Sequence, residues 1–206
     1  MGTARSALGA ALVTSGLLAL GYAATTYVRG AVERDRVRTA WEQAQARAAV
    51  LGVEAAALAL SDAAPTLARG APVAQLVIPR LGVDEIVVEG VGSRELNAGP
   101  GHVPGSALPG TPGNAVISAH RDRHFRRLAG LAVGDTVLTR TVGGATVQWV
   151  VRSRRVLDKD APALFATKTP TLTLTTCWPI AYLGSAPDRL IVTAEPVKTA
   201  VAVAGE

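Results

Sequence analysis

Residues 171–192 read Thr171-Leu-Thr-Leu-Thr-Thr-Cys177-Trp-Pro-Ile-Ala-Tyr-Leu-Gly-Ser-Ala-Pro-Asp-Arg189-Leu-Ile-Val192 and contain the clearest structural signal in the chain. The first part alternates β-branched Thr with Leu, and this period of two predicts a β-strand. Trp178-Pro179 ends the strand, because proline has no N–H for a ladder hydrogen bond. Residues 184–187 predict a turn, and residues 190–194 predict a second strand. The segment is therefore a strand, a loop and a strand.

A thiol and a cation flank the predicted loop. Cys177 leaves the first strand and Arg189 enters the second. Neighbouring strands of opposite direction can bring the two side chains together, and a nearby cation favours the nucleophilic thiolate. The alternative is a small buried hydrophobe, the commonest setting of a lone cysteine, with Arg189 as a solvated charge. The position of Cys177 at a strand end beside a loop favours the catalytic interpretation.

The composition excludes several classes of protein. The chain has 206 residues, one cysteine and a formal net charge of +5, which allows one domain with appendages and excludes an internal disulfide or a Cys-only metal cluster. The densest basic run, residues 121–127, is interrupted by Asp122 and His124, so we predict no nucleic-acid surface. No phosphate-binding loop, zinc-ligand spacing or acidic loop is present, and we expect no cofactor and no metal.

The amino-terminal residues 7–28 contain no charged side chain and lie between Arg5 and Arg29. A helix of this length can cross a bilayer, which takes about 20 apolar residues. We therefore predict an uncleaved membrane anchor over residues 1–29, with a cleaved signal peptide as the alternative. Arginines after the anchor outnumber Arg5, so the positive-inside count does not by itself place the domain outside the cytoplasm.

A helix is predicted after the anchor, from about residue 30 to residue 60, where Ala, Arg, Glu and Gln dominate and Pro is absent. A stripe of apolar residues follows helical spacing along it, formed by Val37, Trp41, Ala44 and Ala48. The stripe fits a stalk, which we favour, or a helix packed on a partner or on the domain. Prolines and glycine in residues 61–72 predict a linker, so the stalk and linker cover residues 30–72.

The remaining residues, 73–197, predict an all-β domain followed by a tail at 198–206. Short strands alternate with Gly- and Pro-rich turns, which indicates a barrel or a sandwich. Gly143-Gly144 predicts a hairpin turn between two of the strands. Five strands precede the two described above, at residues 74–79, 85–89, 115–119, 136–142 and 145–152.

The three histidines have different settings. His120 ends a predicted strand, as Cys177 does, and is the best acid or base. His124 follows in a short helical turn, where a surface position is the default. His102 lies in a segment rich in Gly and Pro, either an ordered loop or a flap that could wall a substrate groove.

Four segments resemble the sortases, most closely the class D group. They read Asn97-Ala-Gly-Pro-Gly-His-Val-Pro-Gly-Ser-Ala, Pro112-Gly-Asn-Ala-Val-Ile-Ser-Ala-His-Arg-Asp-Arg-His-Phe, Thr173-Leu-Thr-Thr-Cys-Trp-Pro and Gly184-Ser-Ala-Pro-Asp-Arg-Leu-Ile-Val. The similarity covers residues 74–196. Ala119 and Trp178 stand where the group usually has Gly and Tyr.

The resemblance implies a closed sortase-type β-barrel with short helices, anchored by a single pass in the cell membrane with its domain extracytoplasmic. It implies a cysteine transpeptidase that cleaves an LPxTG-like C-terminal sorting signal of surface proteins through a thioacyl-enzyme. The new carboxyl end would pass to an amine of the cell envelope. The matching positions are Cys177 as nucleophile, His120 as general acid and base, and Arg189 as the cation near the scissile carbonyl.

Three further residues are predicted to orient the site or the substrate, namely Thr176, Asp122 and Trp178. Asp122 has an equally good alternative as a surface partner of Arg121 or Arg123. Two other functional classes stay open at this point. One is a non-catalytic envelope barrel that binds a peptide strand around a buried Cys177, and the other is a cysteine peptidase that only hydrolyses.

Overall fold

The computed structural model describes residues 2–51, 67–161, 166–182 and 184–197. Within them, the helices are α1 (Gly2–Leu51) and α2 (Ser93–Ala98), and two short 3₁₀ turns lie at Pro79–Leu81 and Leu128–Gly130. The strands are β1 (Pro72–Ile78), β2 (Val83–Glu89), β3 (Gly101–His102), β4 (Asn114–Ser118), β5 (Thr136–Thr141), β6 (Thr146–Asp158), β7 (Thr171–Trp178) and β8 (Asp188–Pro196).

The strands close into a barrel in the order β1-β2-β3-β4-β7-β8-β6-β5, and β5 pairs with β1 to complete it. The closed barrel confirms the predicted fold and decides against a sandwich. β7 is a central strand, parallel to β4 on one side and antiparallel to β8 on the other. Cys177 therefore lies on a strand that is hydrogen-bonded to another strand on each side.

Three of the four threonines of β7, Thr173, Thr175 and Thr176, are buried as well as its leucines. Leu172 and Leu174 belong to the apolar core of the barrel. Thr173 donates from Oγ1 to Asn114 Oδ1 at 2.8 Å, a side-chain bond between β7 and β4. A buried hydroxyl is tolerated where it is hydrogen-bonded, and β-branched residues suit the pleated strand.

The predicted strands are present, with three differences. β6 continues to Asp158, six residues beyond its predicted end. β3 has only two residues and lies in the Gly-rich segment, where no alternating pattern can form. The hairpin connection spans residues 142–145 rather than the two glycines alone, since Thr141 N–H donates to Ala145 O at 2.8 Å.

Helix α1 packs against the domain along the predicted apolar stripe. Trp41 is only 4% exposed, and Val37, Ala44 and Ala48 are half-buried on the same face. The helix lies beside α2, β1 and β2. The structure therefore supports a helix packed on the domain rather than the free stalk that the sequence favoured. A large aromatic side chain in the stripe gains more from burial than a solvated stalk allows.

The described residues include no helix with both the length and the apolar character needed to cross a membrane. The predicted transmembrane crossing by residues 7–28 is thus not confirmed. Two other predictions, the tail at 198–206 and the linker up to residue 66, lie outside the described residues.

Candidate active site

The register of β7 and β8 sets Cys177 directly opposite Arg189. Opposed residues on antiparallel strands have Cβ atoms roughly 4.5–5.5 Å apart, on the same face of the sheet. Both residues are exposed. The alternative of a buried Cys177 is therefore wrong, because the strand end carries its side chain out of the barrel core. The predicted neighbourhood of thiol and cation is present.

His120 joins this pair from the other side of β7. β4 runs parallel to β7 and pairs Ser118 with Thr175. The pairing continues past the end of β4, since Ala119 N–H donates to Thr175 O at 3.2 Å. If the same register is carried one more step, His120, which lies two residues past the end of β4, comes level with Cys177. Cys177 in turn is paired with Arg189 on β8.

Thr176 also links β7 to the residue before His120. It is 2% exposed and donates from Oγ1 to the carbonyl oxygen of Ala119 at 2.7 Å. The residue before Cys177 thus holds the peptide group that precedes His120. This contact fits the orienting role predicted for Thr176.

The surroundings of His120 favour its neutral form. Burial lowers the pKa of its imidazole from 6.5, the positive charge of Arg123 and the nearby His124 lower it further, and Asp122 opposes them. The net direction is downward. Near neutral pH the ring therefore has a free nitrogen that can accept a proton.

Arg121 was missed as a site residue in the sequence and has the most extensive contacts near the site. Its Nη2 donates to the carbonyl oxygens of Tyr182 at 2.9 Å and Gly184 at 2.6 Å. Its Nη1 donates to Pro179 O at 3.4 Å, and its guanidinium lies 5.7 Å from the centre of the Tyr182 ring. The residue after His120 therefore clamps the β7–β8 loop. The only sequence feature that could have pointed to Arg121 is its position directly after His120.

The other two predicted orienting residues lie near the site. Trp178 packs on the core, and the guanidinium of Arg154 lies 5.8 Å from its ring centre. Asp122 is exposed. No ion pair within the described part of the chain joins Asp122 to Arg121 or Arg123, so the surface-pair alternative finds no support.

The two remaining histidines are buried. His102 lies on β3 with Nδ1 2.6 Å from Glu89 Oε2 and Nε2 2.9 Å from Ala107 O, which ties the Gly-rich segment into the barrel as an ordered loop. His124 is 7% exposed, with Nδ1 3.1 Å from Glu85 Oε1. Its predicted surface position is wrong, because the partner comes from β2, which is distant in the sequence.

No three side chains of His, Cys, Asp or Glu in the described ranges form a group that could hold a metal ion. The predicted site residues supply a thiol, an imidazole and a guanidinium.

Comparisons with known proteins identify the family of this chain. The sortase domain family model matches residues 76–197. Sortase D of Bacillus subtilis (strain 168) is 34% identical over 119 residues, which cover 57% of this chain and 60% of that relative. The matched part is thus less than two thirds of the relative's length.

Solved structures show the same fold. The Clostridium perfringens sortase D5 transpeptidase superposes with a TM-score of 0.64 at 23% identity, covering 82% of this chain and 99% of that one. A Clostridium perfringens sortase C, solved with the C-terminal cell wall sorting motif, gives a TM-score of 0.58 at 24% identity, covering 67% and 76%. Since the family model spans more than half of the chain, this protein belongs to the sortase family.

Proposed function

We propose that this protein is a cysteine transpeptidase that cuts a sorting signal near the C terminus of a surface protein and joins the new carboxyl end to an amine. The observation that carries the proposal is the pairing of Cys177 with Arg189 at the ends of β7 and β8, with His120 two residues past the end of the neighbouring β4, in a sortase barrel. An exposed thiol beside a proton carrier and a fixed cation is the set of groups that acyl transfer needs.

In the first half-reaction the Cys177 sulfur attacks the scissile carbonyl carbon while His120 takes the thiol proton, and a thioester forms as the C–N bond breaks. His120 gives this proton to the leaving amine. In the second half, an amine attacks the thioester carbon, His120 takes the proton that the amine loses and returns it to the departing sulfur, which restores the thiol. Division of the reaction at a thioester lets an amine compete with water.

Arg189 stabilises the oxyanion that forms in both halves. Guanidinium N–H groups are donors at any working pH. A donor aimed at the developing charge acts mainly on the transition state, and removal of one such group costs about 10²–10³ in kcat.

The proposed substrate is a surface protein with an LPxTG-like C-terminal sorting signal, and the proposed acceptor is an amine of the cell envelope. Support comes from family membership and from the related sortase C that was solved with a C-terminal cell wall sorting motif. Cys177 and Arg189 are exposed, which leaves an extended peptide access to the thiol.

We also infer that the catalytic domain is extracytoplasmic and that residues 7–28 attach it to the cell membrane. Apolar side chains in this part of α1 are exposed, including Leu18 at 70% and Leu20 at 69%. Exposed contiguous apolar surface marks an interaction site. Deletion of residues 1–29 should release the protein from the membrane fraction; retention there would contradict this inference.

The test uses full-length wild type and Cys177→Ala with LPxTG-like peptides and an amine acceptor, read by mass spectrometry. A thioester adduct and an amide-linked product, both absent from the variant, are expected. Hydrolysed peptide alone in the presence of the amine would favour the peptidase. Peptide binding that persists in Cys177→Ala, with no turnover in either form, would favour the binding module.

A further inference from the structure

A cleft of about 530 Å³ lies between α1 and the barrel, next to the segment that follows His120. Tyr27, Gly30 and Arg34 of α1 form one wall, and Arg123 and Arg126 lie on the other. The cleft is separate from the row of His120, Cys177 and Arg189, none of which lines it. The reaction proposed above has no use for this space.

The lining of the cleft is rich in positive charge. Arg127 also lines it, and so do the two carboxylates of Glu85 and Asp122, which leaves two more cations than anions. Arg127 donates to Leu81 O at 3.0 Å, whereas Arg34, Arg123 and Arg126 have neither a side-chain hydrogen bond nor an ion pair with any described residue. Cations gathered in a cleft with low-dielectric walls concentrate anions there.

An orphaned polar atom lies at the same wall. His124 lines the cleft and turns Nδ1 to Glu85. Its Nε2 is buried and has no hydrogen-bond partner among the described residues. Buried polar atoms in native proteins are paired in the large majority of cases, so this nitrogen indicates an absent partner. Either ring nitrogen of an imidazole can carry the proton, so Nε2 can donate to or accept from a partner that reaches it.

The helix leaves room for a guanidinium at Gly30. A Cβ added at Gly30 would meet Arg123 Nη1 at 3.3 Å, tighter than ordinary contact. Glycine at this position therefore lets α1 approach the basic wall. Arg34 of α1 and the two arginines of the opposite wall, Arg123 and Arg126, therefore line the same cleft.

We propose that this cleft binds a phosphate-bearing anion, held by Arg34 from α1 and by Arg123 and Arg126 from the barrel. A phosphate group offers up to two negative charges and several acceptor oxygens, and guanidinium forks match its geometry. A carboxylate carries a single charge and two oxygens, and so matches three arginines less well. The positive charges of the three arginines repel each other. A bound anion offsets this repulsion and links α1 to the barrel.

The phosphate has two possible sources. The cleft begins at Tyr27, where the uncharged residues 7–28 end, so a phospholipid headgroup can reach it if that segment attaches to a membrane. A free phosphate is the other source. The binding proposal does not depend on the transpeptidase activity, and its test reads binding alone.

The test is calorimetry on the full chain in neutral detergent at low salt, with inorganic phosphate and, separately, a short-chain phosphatidylglycerol. Saturable binding is expected, with affinity reduced about tenfold or more by Arg126→Gln and independently by Arg34→Gln, a change of roughly 1.4 kcal/mol per tenfold. Arg140→Gln on β5 is the matched control, because it removes the same charge from an exposed residue outside the cleft.

Hydrogen exchange gives a second readout on the same samples. Saturation with the probe should slow exchange of residues 27–34 in wild type and leave it unchanged in Arg126→Gln. Binding of phosphate alone identifies a free anion, and binding of the lipid alone identifies a headgroup; either supports the proposal. The proposal is overturned if neither probe binds, or if Arg140→Gln weakens binding as much as the two cleft variants do.

Discussion

Thr176 Oγ1 donates to the carbonyl oxygen of Ala119 at 2.7 Å, and this one bond ties the residue before Cys177 to the residue before His120. It makes the spacing of the two proposed catalytic side chains depend on a buried hydroxyl. Thr176→Val keeps the shape of the side chain and leaves the Ala119 carbonyl without this partner. An unsatisfied buried acceptor costs about 1–3 kcal/mol.

We expect Thr176→Val to lower both the free energy of unfolding and kcat, measured by denaturant titration and by peptide turnover. Thr173→Val is the matched control, because it removes another buried hydroxyl bond of β7, to Asn114, away from the site. It should lose comparable stability and keep kcat. Thr176→Ser should restore most of the activity. Equal kcat in the two valine variants would mean that Thr176 is structural only.

Arg121 should control the shape of the loop that carries the chain from Cys177 to Arg189. It donates to the carbonyls of Tyr182 and Gly184, and lysine keeps the charge but loses the planar fork that reaches several oxygens. We expect Arg121→Lys to lower kcat/KM about tenfold, since loss of hydrogen bonds from a charged donor costs about 1.5–3 kcal/mol.

Arg123→Lys provides the comparison for Arg121, because Arg123 makes no side-chain hydrogen bond with the described residues. It should keep kcat/KM near that of wild type in the same peptide assay. Hydrogen exchange of residues 179–182 should accelerate in Arg121→Lys alone. Unchanged exchange together with unchanged turnover would show that the clamp does not matter for the site.

The sequence predicted those features that depend on local pattern. The alternation of Thr and Leu indicated β7, and its register then set Cys177 against Arg189. The Arg121 clamp was not predictable, because its acceptors are backbone carbonyls, which no residue type marks. The burial of His124 was missed for a related reason: its partner Glu85 lies on β2, and only the closed barrel brings the two together. β3, with two residues, is too short for any periodicity to reveal.

The pKa of His120 follows from its burial and from charges on its own segment. Burial lowers its pKa from 6.5, Arg123 adds to this effect and Asp122 opposes it. Removal of the nearby positive charge in Arg123→Gln should therefore raise the pKa, and removal of the negative charge in Asp122→Asn should lower it. NMR titration of the histidine ring protons checks both signs, and a shift in the same direction in both variants would contradict the assignment.

The lowered pKa of His120 in the folded protein also affects its stability. Because folding lowers the pKa of His120, the unfolded chain binds more protons between the folded value and 6.5. The contribution of His120 to the free energy of unfolding is thus fully present above pH 6.5 and is lost as the pH falls through the folded pKa. His120→Asn should flatten the unfolding free energy over this acidic range. The prediction would be contradicted if the unfolding free energy of the wild type increased as the pH fell through this range.

Arg189 should act on turnover rather than on peptide binding. If it stabilises the oxyanion, its contacts strengthen only as negative charge develops, so their loss lowers kcat with little change in KM. We expect Arg189→Ala to reduce kcat by about 10²–10³. Arg152→Ala is the control, since Arg152 is also exposed and pairs with Glu195 at the opposite end of β8. A rise in KM at constant kcat would instead assign Arg189 to holding the peptide, and the oxyanion would then need another donor.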